Sequence, residues 1–125
     1  MHRIGYAYWQ NGYKEEAEHF FNEQIIYCNR INELKRLQGL TLNTYYDLAG
    51  VYAFRGEKDK AYRNLRIFNQ SQLIDHNMAM LIKTDPLFNS IRKDPEFQQI
   101  VRDIESKYQA EHERVRKWLE ENGML

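Results

Sequence analysis

The stretch Tyr45-Tyr46-Asp47-Leu48-Ala49-Gly50-Val51-Tyr52-Ala53-Phe54-Arg55-Gly56, followed by Ala61 and Leu65, decides the fold, because it is the second copy of something. The first copy carries Ile4-Gly5, Tyr8, Gly12, Ala17 and Phe21 where the second carries Leu48-Ala49, Tyr52, Gly56, Ala61 and Leu65. Every pair lies 44 positions apart, as Gly12 does from Gly56. Six small or apolar positions held in one register mark two copies of one supersecondary unit. Such a unit cannot bury its apolar face alone and stacks on its neighbour, which makes a surface for presentation the expected product.

Working outward, helical spacing dominates and no segment alternates in the strand manner. A first helix is predicted from the start to about Trp9, ended by Asn11-Gly12. A second begins near Lys14, and its stripe reads Ala17, Phe20, Phe21, Gln24, Cys28, Ile31 and Leu34. It is expected to reach about Leu37 and to stop at Gly39. The third covers about Leu42 to Phe54, and the fourth runs from about Asp59, read as its N-cap, to Asn69. A short helix is expected between Ile74 and Lys83. Asp85-Pro86-x-Phe88 and Asp94-Pro95-x-Phe97 are two helix starts: Asp can accept from the free N–H groups, and Pro at the first position has no N–H to orphan. The second opens a long final helix, Pro95 to about Glu121. The organisation expected is therefore all-α, with two hairpins over residues 1–70 and capping helices over 71–125.

The repeat resembles the tetratricopeptide repeat, whose pattern is W-x2-L-G-x2-Y…A-x3-F over 34 residues. The second copy reads Tyr45-x-x-Leu48-Ala49-x-x-Tyr52, then Gly56, Ala61 and Leu65; the first reads Met1-x-x-Ile4-Gly5-x-x-Tyr8, then Gly12, Ala17 and Phe21. The period here is about ten residues longer than the family's, assigned to the second helix. Met1 stands in the aromatic position of the first copy, and the family proline is missing from both. The resemblance implies an α-solenoid fragment cut from a larger protein, with earlier repeats or another domain before it. The tail from Asp85 resembles the closing segment after such repeats in bacterial signalling and regulatory proteins.

Ligands of the family lie on the concave wall made by the first helix of each hairpin. Carried over by register, that wall holds His2, Tyr6, Trp9 and Gln10, then Asn43, Tyr46, Gly50, Ala53 and Phe54. The implied function is a protein–protein interaction module, an adaptor or regulatory domain gripping a protein or peptide through Tyr6, Trp9, Gln10, Asn43, Tyr46 and Phe54. The competing reading is that these rings pack on a missing repeat or on the chain's own tail. A carboxylate-gripping activity known in the family is not expected, since Asp47 would repel the ligand.

The final helix carries an apolar seam at Phe97, Val101, Ile104, Tyr108, Val115 and Trp118. Its inner half is expected to cap the core. Its outer half, Val115, Trp118 and Leu119, is expected to meet a partner, with a homodimer as the alternative to peptide binding and small-ligand sensing as a third class. Asp103/Lys107, Glu113/Lys117 and Lys117/Glu121 stand at i,i+4 and suit an exposed helix.

Composition narrows the classes. Lys+Arg and Asp+Glu balance at 18 each, which gives no electrostatic footprint for nucleic acid. Nine tyrosines are more than a small core needs and suit recognition. Cys28 stands alone and cannot form an internal disulfide, which points to a reducing, cytoplasmic setting. No apolar run approaches membrane-spanning length. The four histidines show no metal-ligand spacing, and neither a phosphate loop nor a nucleophile elbow is present, so no enzyme, metal or cofactor is expected.

Overall fold

The computed structural model describes residues 2–38, 43–70 and 76–124. Within them the chain runs α1 (His2–Gln10), α2 (Lys14–Gln38), α3 (Thr44–Phe54), α4 (Lys58–Asn69), α5 (His76–Thr84), a 3-10 segment (Pro86–Ile91) and α6 (Pro95–Glu121). The described residues contain no strand, so the fold is all-α. Expectations placed on Met1, Gly39, Leu42, Ile74 and Asp75 lie outside the described residues. None of the described helices is long and apolar enough to cross a membrane.

The 44-residue offset is a physical equivalence at the two hairpin turns. Gly12 and Gly56 both have positive φ, +86° and +81°. Each follows a helix that closes by the same two bonds. Tyr13 N–H donates to Tyr8 O, and Glu57 N–H to Tyr52 O, both at 2.9 Å. Gly12 N–H donates to Trp9 O at 3.0 Å, and Gly56 N–H to Ala53 O at 3.1 Å. Inside each hairpin the small positions are fully closed over. A Cβ on Gly5 would stand 3.0 Å from Phe21 Cε1 and 3.1 Å from Ala17 O, so α1 and α2 approach as closely as they do only because none is there. Ala49 and Leu65 are both fully buried in one cluster with Ala61.

That cluster continues beyond α3 and α4. Ile82 of α5, Phe88 and Ile91 of the 3-10 segment, and Phe97 and Ile104 of α6 belong to the same core. A second cluster joins Ala17 and Phe21 of α2 to Val51 of α3 and Leu87 of the 3-10 segment. Burial of each such aromatic or aliphatic side chain contributes about 1.5–3 kcal/mol.

Several local expectations are corrected. Residue Glu57, not Asp59, precedes α4, and Asp59 lies in its first turn. Along α2, Ala17, Phe21, Gln24 and Cys28 are buried, but Leu34 is exposed, because α2 outruns what α3 can cover. In α6 the buried face is Phe97, Ile100 and Ile104, with Val101 and Tyr108 packed at its side. Ion pairs along its outer half join Arg114 to Glu111, and Arg116 to Glu113 and Glu120. Lys107 turns inward to the Asn69 carbonyl and side chain rather than to Asp103.

Candidate functional site

The expected wall is split in two by the chain's own 3-10 segment. Gly50, at the middle of α3, lies under Leu87 and Phe88: a Cβ there would be 3.2 Å from Leu87 Cδ1 and 3.7 Å from Phe88 Cζ. The rings and aliphatic groups of that segment fill the hollow a ligand was expected to occupy.

Tyr46 is the main casualty of this filling. It is 1% exposed, with its ring between Phe68 (5.4 Å) and Phe88 (5.3 Å) and its hydroxyl donating to Asp85 Oδ2 at 2.7 Å. It cannot serve as an exposed anchor. Ala53 and His2 are buried as well. Asn43 is exposed at the start of α3 and makes no side-chain capping bond.

Beyond the plug, the other half of the wall survives as a patch. Phe54 is half-buried and meets three rings: Trp9 at 5.3 Å, Phe21 at 5.4 Å and Tyr6 at 5.6 Å. The Tyr6 and Trp9 contacts are edge-to-face, the arrangement ring quadrupoles favour. Phe21 is fully buried and forms the floor; Tyr6, Trp9 and Phe54 keep part of their surface in solvent. The Lys14 ammonium stands 5.1 Å from the Trp9 ring centroid, and exposed Gln10 follows Trp9 at the end of α1. The patch therefore offers aromatic area, a cation at its edge and an amide beside it.

Next to the patch lies a polar node. Asp85, 1% exposed, accepts two bonds from the Arg3 guanidinium, each at 2.8 Å, one from Tyr46 and one from the Leu87 N–H at 3.1 Å. Burial alone would raise the Asp85 pKa; the bonds from Arg3, Tyr46 and Leu87 outweigh it and hold the carboxyl below the usual carboxylate range. Beneath it, His2 Nε2 stands 3.6 Å from Asp47 Oδ1, and neither His2 ring nitrogen has a hydrogen-bond partner among the described residues. Burial, helped by the Arg3 charge, pushes the His2 imidazole down to about 4. Burial pushes the Asp47 carboxyl up to about 6, against the pull of Arg3. At neutral pH His2 is uncharged and Asp47 ionised.

Arg3 and Asp85 were not singled out as a pair by the sequence. The Asp-Pro signal marked Asp85 as a cap, and it does cap Leu87, but its strongest partner is 82 residues away and no local pattern announces it. Cys28 is buried and receives the Gln24 amide at 3.2 Å, a structural environment for a thiol. No group of three or more His, Cys, Asp or Glu among the described residues could hold a metal ion. At the far end of α6, Val115 is 41% and Trp118 50% exposed, with Leu119 half-buried beside them.

Comparison of the chain with protein-family models, with curated proteins and with solved structures finds no match.

Proposed function

We propose that this chain is a protein–protein interaction module of the tetratricopeptide type, an adaptor or regulatory domain of a larger cytosolic protein. The observation that supports the reading is the Tyr6–Trp9–Phe54 patch. Three aromatic rings are held rigidly by two hairpins, keep part of their surface in water and border a lysine. Rigid aromatic anchors with a polar edge are what peptide and protein recognition uses. The bound segment is a peptide with an apolar anchor for the ring floor and an acidic residue for Lys14. Peptides selected from a random display library against the intact protein should lose at least tenfold in affinity for Trp9→Ala, with the folded state verified by circular dichroism. Peptides that bind both proteins equally well would place recognition elsewhere.

Self-association is the second reading, and exposed Trp118 beside Val115 and Leu119 favours it. Sedimentation of the wild type should then show a dimer that Trp118→Ala dissociates.

A further inference from the structure

Between the end of α5 and the start of α6 the capping segment leaves a hollow. On α6, Phe97 and Val101 stand one turn apart, and Gln98 and Arg102 form the neighbouring row at the same spacing. The last turn of α5 brings Lys83, and the residue closing the 3-10 segment brings Arg92. Together these residues line a shallow space of about 280 Å³. Phe97 is buried and makes the floor, with Val101 half-buried beside it. The charge around that floor is lopsided: Lys83, Arg92 and Arg102 line it and no acid does. Among the described residues the Arg92 guanidinium donates only to neutral oxygens, the carbonyls of Ile82, Lys83 and Asp85 and the side-chain oxygen of Asn89. The carbonyls at the end of α5 offset only about half a charge. Arg92 thus holds a positive charge over Phe97, 5.9 Å from the ring centroid, with its donors already engaged. The other two cations keep donors to spare. Lys83 pairs with Glu105 at 2.7 Å, which uses one of the three N–H groups of an ammonium. Arg102 is exposed and donates to Gln99 Oε1 at 2.9 Å through one arm of its fork.

We propose that this hollow binds a small organic anion, a carboxylate carried on an apolar body the size of one ring. The body lies on Phe97 and Val101. The carboxylate accepts from the Lys83 ammonium and the Arg102 guanidinium at the rim, with the Gln98 amide as a third donor. Arg92 contributes its charge rather than a bond. Size sets the class: the hollow is just under the roughly 300–1,000 Å³ of clefts that take drug-sized ligands. Both halves of the ligand are needed. An inorganic ion would leave the apolar floor in water, and a neutral ring would gain nothing from the rim. The hollow lies outside both hairpins and shares no residue with the Tyr6–Trp9–Phe54 patch, so it stands or falls separately from the proposed function.

Phenylacetate is the probe, titrated into the intact protein at low salt and followed by amide shifts of backbone and side chains. Saturable shifts are expected at Lys83, Gln98, Val101 and Arg102. Phenylacetamide keeps the ring and loses the charge, and acetate keeps the charge and loses the ring; each should bind about tenfold more weakly. Arg102→Glu should weaken phenylacetate by at least as much. Arg102 is exposed, so the substituted protein keeps its fold, which its melting curve checks. Lys83→Gln and added salt should both weaken binding as well. Absence of saturable shifts would overturn the inference. So would equal binding of phenylacetamide, or phenylacetate binding that Arg102→Glu leaves unchanged. Shifts centred on Trp9 and Lys14 would move the anion to the aromatic patch and likewise overturn this site, while leaving the proposed function standing.

Discussion

Asp85-Pro86-Leu87-Phe88 and Asp94-Pro95-Glu96-Phe97 begin alike and end differently. In both, the aspartate backbone is extended (ψ 117° and 134°), as proline demands of the residue before it. Each carboxylate accepts a tyrosine hydroxyl, Asp85 from Tyr46 at 2.7 Å and Asp94 from Tyr62 at 2.8 Å. Both phenylalanines are buried, and their rings meet at 5.4 Å. Yet the first motif opens a six-residue 3-10 segment and the second a helix of 27 residues. The cause is the second motif itself. Pro95 forces Asp94 out of helical geometry, so whatever Pro86 starts must stop before it.

The surroundings differ just as much. Asp85 is sealed in the fold and also accepts from Arg3 and its own Leu87 N–H. Asp94 keeps access to water, pairs with Lys58 at 3.2 Å and makes no side-chain capping bond. One motif thus became an internal tie across the whole chain and the other a surface tie at the start of α6. A short signal sets the backbone; the neighbours set what the side chain is worth.

The largest effect should come from Asp85→Ala. It strands the Tyr46 hydroxyl, leaves the Arg3 head without its carboxylate and uncaps Leu87. Arg3 retains contact with water, so the loss is about 3 kcal/mol, the low end for breaking a buried ionic pair. Urea unfolding measures it, and a loss under about 1 kcal/mol would reduce the node to the rank of a surface pair.

The second effect is on pH. Asp85 has a depressed pKa, so its stabilisation is present above the unfolded value and is lost as pH falls through the folded one, below about 4. His2, lowered to about 4, adds stability above its unfolded value that is lost as pH falls from about 6.5. Asp47, raised to about 6, does the reverse: protonating it favours the fold, so stability is regained as pH drops through 6. The two titrations offset each other between 6.5 and 4, and the wild type should show a flat melting temperature there and a steep fall below. In His2→Gln the melting temperature should instead rise as pH falls from 6.5 to 4. A fall over that range in His2→Gln would show that Asp47 is not raised.

The smallest effect belongs to Asp94→Ala. The carboxylate faces water, so its loss should lower the melting temperature by clearly less than Asp85→Ala does. A drop as large as that of Asp85→Ala would mean that the motif itself, and not its surroundings, carries the energy.

Much of the architecture was legible because it is written locally. Asn11-Gly12 and Arg55-Gly56 mark turns that need positive φ, the stripe of α2 has period 3.6, and Pro95 marks the start of α6 to the residue. The small positions Gly5 and Ala49 were legible for the same reason, since a repeated small residue implies a repeated close approach. The residues of the expected wall do not all share one open face. Tyr6, Trp9 and Phe54 form a patch, but Tyr46 lies beneath the 3-10 segment. A register can say which side chains share a face. It cannot say that a segment some 40 residues further on, Pro86–Ile91, will fold back across that face and fill it.

The two indoles of the chain sit in opposite circumstances. Trp9 is packed edge-on to Phe54 with an ammonium over its ring, while Trp118 stands half in solvent near the end of α6. Their fluorescence is therefore a pair of native reporters with different solvents. A water-borne quencher reaches the more exposed Trp118 more readily than the half-buried Trp9, and Trp118→Phe leaves a single emitter whose colour follows the patch alone. Occupancy of the patch, or pairing of two α6 helices, can be watched in the unlabelled protein, each through its own tryptophan.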